Sequence, residues 1–485
     1  MTKKSIMKRW GSWQIHCMMV ALFALCFVSC EDDDPNGPTP AKPHDSSKKV
    51  VITGFEPDSG GLGQRLLIYG ENFGNDLSMI QVNIGGKQAK VIGIAAEGLY
   101  CLVPRRAYNG EVEIQVGEQE GEWKDEEAKK IFKYLRQTIV STVMGYKTER
   151  DDQGWKDGKF KDENESEMAS GFAQDGFLKF DPANPKHLWA TFDNHNGLYL
   201  INFEDSTVKR TRADLDRPRS IDFSLDKRWM ILSEDRGGEN DPSNYIMDRE
   251  DGFKAREVLT RYKQCNGSAV HPINGELYYN SYDKGQLFRF ALDKYLDPRE
   301  TSPTPTDRDL MFNVLDPRWE YRIVIHPSGM YAYIMVINQH YILRTNYNPS
   351  SKIFLQPSVV CGGAGKPGWL DGVGTSALLD RPYQGVFVKN EKYVEEGKED
   401  VYDFYFTDCN NHCVRKLTYE GAVSTFAGRG SASLNPDPHG YVDGDARQEA
   451  RFSNPSGIEY NEEEGAFYIS DRENRRIRKI EKDEE

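Results

Sequence analysis

"FTDCNNHCVRKLTYEGAVSTFAG", residues 406–428, holds three short strands and two turns in twenty-three positions. "FTD" closes one apolar, aromatic strand. Asp408, Asn410 and Asn411 are turn formers. "CVRKLTY" is a second strand, Glu420-Gly421 a second turn, and "VSTFAG" a third strand. Strands this short, joined by turns this tight, are an antiparallel meander.

The unit recurs. Six strand–turn–strand copies run "FLKFDPANPKHLWATF" (177–192), "SIDFSLDKRWMILS" (220–233), "SAVHPINGELYYNS" (268–281), "IVIHPSGMYAYIMVI" (323–337), "GVFVKNEKYVEEGKEDVYDFYFTD" (385–408) and "GIEYNEEEGAFYISD" (457–471). Each is followed by a third strand, from "GLYLINFE" (197–204) to "RIRKIEK" (476–482). Fourth strands are clearest as "SVVCGG" (358–363) and "VSTFAG" (423–428). Four antiparallel strands repeated six times predict a six-bladed β-propeller over 138–485, in which each blade buries against its neighbours the face it cannot bury alone. The sixth copy ends without a fourth strand. "IVSTVMG" (139–145) precedes the first copy and echoes "VSTFAG", so strand 138–145 is expected to close the last blade.

Residues 406–428, with "GYVDGDARQEARFSNPSGIEY" (440–460) and "YISDRENRRIRKI" (468–480), resemble NHL repeats, most clearly in the last two blades. Upstream, 50–135 alternates short strands with Gly turns, including a hairpin with Gly85-Gly86 at its tip. Its "ITGFEPDSGGLGQRLLIYGENFG" (52–74), "IGG" (84–86), "VP" (103–104) and "FKY" (132–134) resemble the IPT/TIG family of immunoglobulin-like domains. The expected fold is therefore all-β: an immunoglobulin-like (IPT/TIG) β-sandwich followed by a six-bladed NHL-type β-propeller. The IPT/TIG resemblance implies a spacer or interaction module and assigns no chemistry.

The first 49 residues carry an address. Lys3, Lys4, Lys8 and Arg9 precede an apolar run, Cys17–Val28, which suits a signal peptide over 1–29. It ends in "FVSC" (27–30), which resembles a lipobox and implies lipidation of Cys30. "EDDD" (31–34) resembles the export signal of surface lipoproteins of gut anaerobic Gram-negative bacteria, and equally suits a solvated acidic linker. With the Pro-rich stretch that follows, 30–49 is expected to be a flexible tether. The expected location is the outer membrane, lipid-anchored and facing outward. An IPT/TIG domain before NHL repeats on a lipoprotein resembles a group associated with polysaccharide uptake, which implies glycan as ligand and an outer-membrane transporter as partner.

The net charge of −14 argues against nucleic acid, whose phosphates need a basic face. Outside the signal and anchor the cysteines are Cys101, Cys265, Cys361, Cys409 and Cys413, an odd and scattered set. "CNNHC" (409–413) suits turn residues or a cross-hairpin disulfide better than a metal, because no second cluster completes four ligands. His271 and His326 begin matching "HP" pairs, where blade one has "DP" (181–182); turn caps explain them better than a metal pair. No nucleophile elbow, phosphate loop or zinc motif occurs, and no cofactor is expected.

Ligand contacts are expected on the face where strands two and three join and where one blade leads to the next. "GWKDG" (154–158), "GWLDG" (368–372) and "GYVDG" (440–444) lie in inter-blade loops on the arc of blades five, six and one. Trp155, Trp369 and Tyr441 could contact ligand or wedge between blades. The loops inside the blades add His195, Asp408 and Asn474; residues starting the inner strands add Arg219, Asn266, Arg322, Tyr383 and Gln384. Hydroxyl partners and flat aromatic faces suit a glycan. The alternatives are a lactonase- or lyase-type propeller enzyme acting on carbohydrate, and a protein-interaction scaffold.

Overall fold

The computed structural model describes residues 41–483, apart from 96–97, 105–106, 126–128, 146–154, 165–166, 173, 194, 314–319 and 431–436. Cys30, the start of the tether and Gly154 lie outside the described residues, as do the side chains of His195 and Asn196. The chain divides into two compact units, Met1–Tyr134 and Leu135–Glu485.

In the first unit, strand Val51–Glu56 pairs antiparallel with Arg65–Glu71, which pairs with Gly98–Leu102. Ile80–Ile84 and Lys87–Ala95 form the hairpin over Gly85-Gly86. Both glycines have positive φ, 55° and 77°. A Cβ on Gly85 would fall 1.6 Å from the Ala107 carbonyl oxygen, so only glycine fits the tip. Alternating side chains, among them Leu66, Ile68, Val82, Ile84, Leu99 and Ile114, fill a single core.

The second unit is six antiparallel sheets. Their inner strands are Gly176–Asp181, Pro218–Phe223, Ser268–Val270, Tyr321–Ile325, Pro382–Lys389 and Pro455–Asn461. Second strands such as Tyr331–Val336 and Ala466–Asp471 are buried along their whole length, because both faces of a blade meet a neighbour. Thr138–Met144 pairs antiparallel with Arg476–Lys482 and supplies the outer strand of blade six. Closure is completed by one apolar cluster that joins Met144, Tyr468 and Ile477 of blade six to Leu178, Ala190 and Tyr199 of blade one.

Two features differ from the sequence expectation. Outer strands Thr207–Arg212, Glu257–Arg261 and Asp309–Asn313 complete blades one to three, where no fourth strand stood out. The three Gly-aromatic-x-Asp-Gly segments also extend beyond being loops. Each runs into a short fifth strand on an outer edge: Gly158–Lys159 on Thr207–Arg212, Gly372–Val373 on Ala422–Gly428, and Gly444–Asp445 on Thr138–Met144. They cover edges that would otherwise expose unpaired backbone.

Candidate functional site

The Asp of each segment pins that edge. Asp157, Asp371 and Asp443 accept the backbone N–H of Arg210 (2.9 Å), Thr425 (3.1 Å) and Thr142 (3.0 Å), all on outer strands. In blades five and six the pin continues inward. Arg415 bridges Asp371 (2.9 Å) and Asp408 (2.8 Å); Arg478 bridges Asp443 and Asp471 (2.6 and 2.7 Å). Asn411 donates to Asp408 and to the Gly368 carbonyl, and Asn474 does the same to Asp471 and Gly440 (2.8 Å each). Asp408 and Asn474 are thus buried inside a repeated clamp, with their polar groups engaged by the fold.

The three aromatics take two different places. Trp155 is drawn into the blade-one cluster, its ring 3.9 Å from Tyr199 and 5.2 Å from Phe172 between centroids. Trp369 and Tyr441 stay 42% and 47% exposed. Arg429 lies 4.1 Å from the Trp369 ring and Arg476 3.9 Å from the Tyr441 ring. The indole N–H of Trp369 donates to Thr425, and the Thr142 hydroxyl donates to Tyr441 (3.1 Å each). The clamps hold both rings at equivalent positions on the loop face of adjacent blades, toward its outer edge.

Arg219, Asn266, Arg322, Tyr383 and Gln384 do come together, at the propeller axis. Each is at most 4% exposed, so they form a plug across the channel where an open, lined mouth was expected. Arg219 reaches Asp193 (3.0 Å) and Asp235 (2.8 Å), and Asn266 donates to Asp235 (3.2 Å). Arg322 donates to the Asn266 carbonyl (3.3 Å) and the Tyr383 hydroxyl (2.8 Å). Gln384 donates to the Leu178 carbonyl (2.7 Å) and accepts N–H groups from Leu178 (3.1 Å) and Ile458 (3.2 Å), which ties blades five, one and six. Burial works against charge on Arg219, but Tyr383, Asp193, Asp235 and Glu320 outweigh it and hold the guanidinium above its ordinary value. Burial pushes the Tyr383 phenol up to about 12, against the pull of Arg322. His195 begins strand His195–Asn202, paired opposite Phe192.

Sequence reasoning missed the cations that sit over this plug. Arg217 reaches Asp235 (2.8 Å), while Arg381 and Arg472 converge on Asp175 (2.6 and 2.9 Å). A signal was present: "DRP" occurs at 216–218 and again at 380–382, and both arginines take the same left-handed conformation (φ 50° and 65°) before the inner strand. The "HP" and "DP" slots lie at the opposite pole and are turn caps. The His271 Nδ1 accepts the N–H of Ile273 and Asn274 (3.2 and 3.3 Å), the His326 Nδ1 that of Ser328 (3.1 Å), and Asp181 that of Ala183 (2.9 Å).

These features define a class: an IPT/TIG domain joined to a six-bladed propeller that has a polar, plugged loop face. Residues 51–127 match the IPT/TIG domain family, and among curated proteins none matches the chain. Among solved structures, an auxiliary nutrient binding protein from Bacteroides thetaiotaomicron VPI-5482 is 42% identical (TM-score 0.80), with 91% of this chain and 100% of that one covered. Another from Bacteroides ovatus ATCC 8483 is 34% identical (TM-score 0.69) over 91% and 100%. A third, from the same B. thetaiotaomicron strain and described as a candidate phosphatase, is 40% identical (TM-score 0.79) over 92% and 99%. The chain belongs to this family of two-part Bacteroides proteins.

Proposed function

We propose that this protein is an accessory nutrient-binding lipoprotein of the bacterial surface, and that it holds glycan on the loop face of its propeller. Two relatives described as auxiliary nutrient binding proteins support the broad role. The observation that carries the glycan reading is the pair Trp369 and Tyr441. Two adjacent blades present these half-exposed rings through the same clamp. Flat aromatic faces beside Arg429, Arg476 and Thr425 suit the C–H faces and hydroxyls of sugar rings. Lipidation at Cys30, the acidic and Pro-rich tether and an outer-membrane transporter as partner complete the proposal.

Calorimetric titration of the soluble mature chain against a panel of polysaccharides tests it. Binding to at least one is expected, and Trp369→Ala with Tyr441→Ala should weaken it about tenfold or more, since a stacked ring contributes upward of about 1 kcal/mol. A folded chain that binds no glycan sinks the reading. Glycan binding that the double substitution leaves intact removes the two rings from it.

A further inference from the structure

Below the axial plug, at the pole of the turns that join first and second strands, the channel opens into a cavity of about 390 Å³. All six blades contribute inner-strand residues to it, from Phe177 in blade one to Glu459 in blade six. Its entrance carries Pro182, Pro272 and Pro327, the prolines of the "DP" and "HP" slots. Capped by Asp181, His271 and His326, these turns are fixed, and proline adds an apolar surface without an N–H. Leu225 and Ile273, 50% and 65% exposed, stand on the turns of blades two and three.

The polar groups inside are few, and most are engaged. Asp222 accepts the N–H of Phe223 (2.9 Å) and of Val270 (2.8 Å), and it faces Lys179 at 3.7 Å. One group remains. Glu459 is 9% exposed; its one hydrogen bond among the described residues is from the Tyr460 N–H to Oε1 (3.3 Å). Arg322 closes the inner end, its guanidinium 5.1 Å from the Phe177 ring and 4.5 Å from the Tyr383 ring. Burial pushes the Glu459 carboxyl up, partly offset by Lys179. A ligand hydroxyl that donates to Glu459 forms a hydrogen bond to a charged acceptor, which is stronger than one between neutral groups.

We propose that this cavity is a second binding site, separate from the loop face, for one neutral polyhydroxylated ring held at Glu459. Size argues for a single ring, since the volume lies near the lower end of the roughly 300–1,000 Å³ typical of small-molecule sites. Charge argues for a neutral one: inside, Lys179 and Arg322 balance Asp222 and Glu459, while the third cation, Lys227, stands on the exposed entrance turn of blade two. The Glu459 acceptor suits a hydroxyl. The apolar walls, Phe177, Ile221, Ile323 and Val386 among them, suit the C–H face of the same ring. A monosaccharide and a cyclic polyol share this chemistry.

Saturation-transfer NMR and calorimetry on the soluble full chain, with no polysaccharide present, test the proposal. The probes are methyl α-D-glucopyranoside and myo-inositol as neutral rings, glucosamine as a cation and glucuronate as an anion. At least one neutral ring is expected to bind, and more tightly than either charged probe. Glu459→Leu should weaken it about tenfold or more, while Glu459→Gln, which keeps an acceptor, should stay within about threefold. Thermal unfolding checks that each variant folds; if Glu459→Leu does not, Ala269→Leu, which narrows the cavity, should lower affinity in its place. No saturation by either neutral ring up to about 50 mM overturns the proposal. So does preference for a charged probe, or affinity indifferent to Glu459→Leu. Because no polysaccharide enters the assay, failure here leaves the loop-face reading standing, and failure there leaves this one.

Discussion

His412 shows what one residue does in these turns. It sits in the left-handed region (φ 55°), and its Nδ1 accepts the Asn454 N–H at 3.1 Å. His340 in blade four repeats both features, with φ 64° and a bond from the Arg381 N–H at 3.1 Å. The cysteines on either side of the turn, Cys409 and Cys413, are buried and free, and burial pushes both thiols up. The expected alternative of a cross-hairpin disulfide is not what the structure contains. Burial, aided by His439 and Arg429, lowers the His412 pKa to about 4, against an ordinary 6.5. The unfolded chain therefore takes up this proton first as pH falls. Stability from His412 is complete above about pH 6.5 and is lost progressively toward pH 4, by on the order of 2 kcal/mol once solvent screening of this partly exposed ring reduces the full linkage value of about 3 kcal/mol. His412→Asn, which tolerates the same backbone conformation, should flatten that part of the pH profile. Urea midpoints of the two proteins across pH 4–7 give the comparison; parallel profiles would show that His412 does not titrate differently on folding.

At the scale of elements, the clamp decides which blades are legible. Asp408, Asn411 and Arg415, and again Asp471, Asn474 and Arg478, must keep their spacing to close around Gly368 and Gly440. That constraint leaves the last two blades with a readable signature. The outer strands of blades one to three carry no such constraint. Thr207–Arg212 is largely polar, and Asp309–Asn313 runs three apolar residues together with only Phe312 buried, so neither alternation nor motif marks them. Arg478 is fully buried between Asp471 and Asp443. Arg478→Met leaves a buried carboxylate without its cation and should cost about 3–5 kcal/mol, seen as a lower urea midpoint. Arg478→Lys should recover only part, because a single ammonium cannot reproduce the forked contacts. Full recovery by lysine would reduce the clamp to simple charge neutralisation.

At the scale of the molecule, closure and plug depend on contacts between residues far apart in the chain, which periodicity does not encode. The repeats identified which residues begin the inner strands. That Gln384 would cross the axis to Leu178, 206 positions away, and close the channel, has no local signature. The same distance hid the cavity beneath, whose walls come from all six blades. Both sites argued above lie wholly within Leu135–Glu485, whose blade interfaces supply its own core, while the IPT/TIG unit fills a separate one. A spacer should leave affinity unaffected when removed. The isolated 135–485 fragment should therefore fold cooperatively and bind the same glycan within about twofold of the intact chain, by calorimetry under identical conditions. A loss beyond about tenfold in a folded fragment would bring the IPT/TIG domain into the binding surface. The loop face would then be half of the site, and Trp369 and Tyr441 would guide glycan toward contacts made elsewhere.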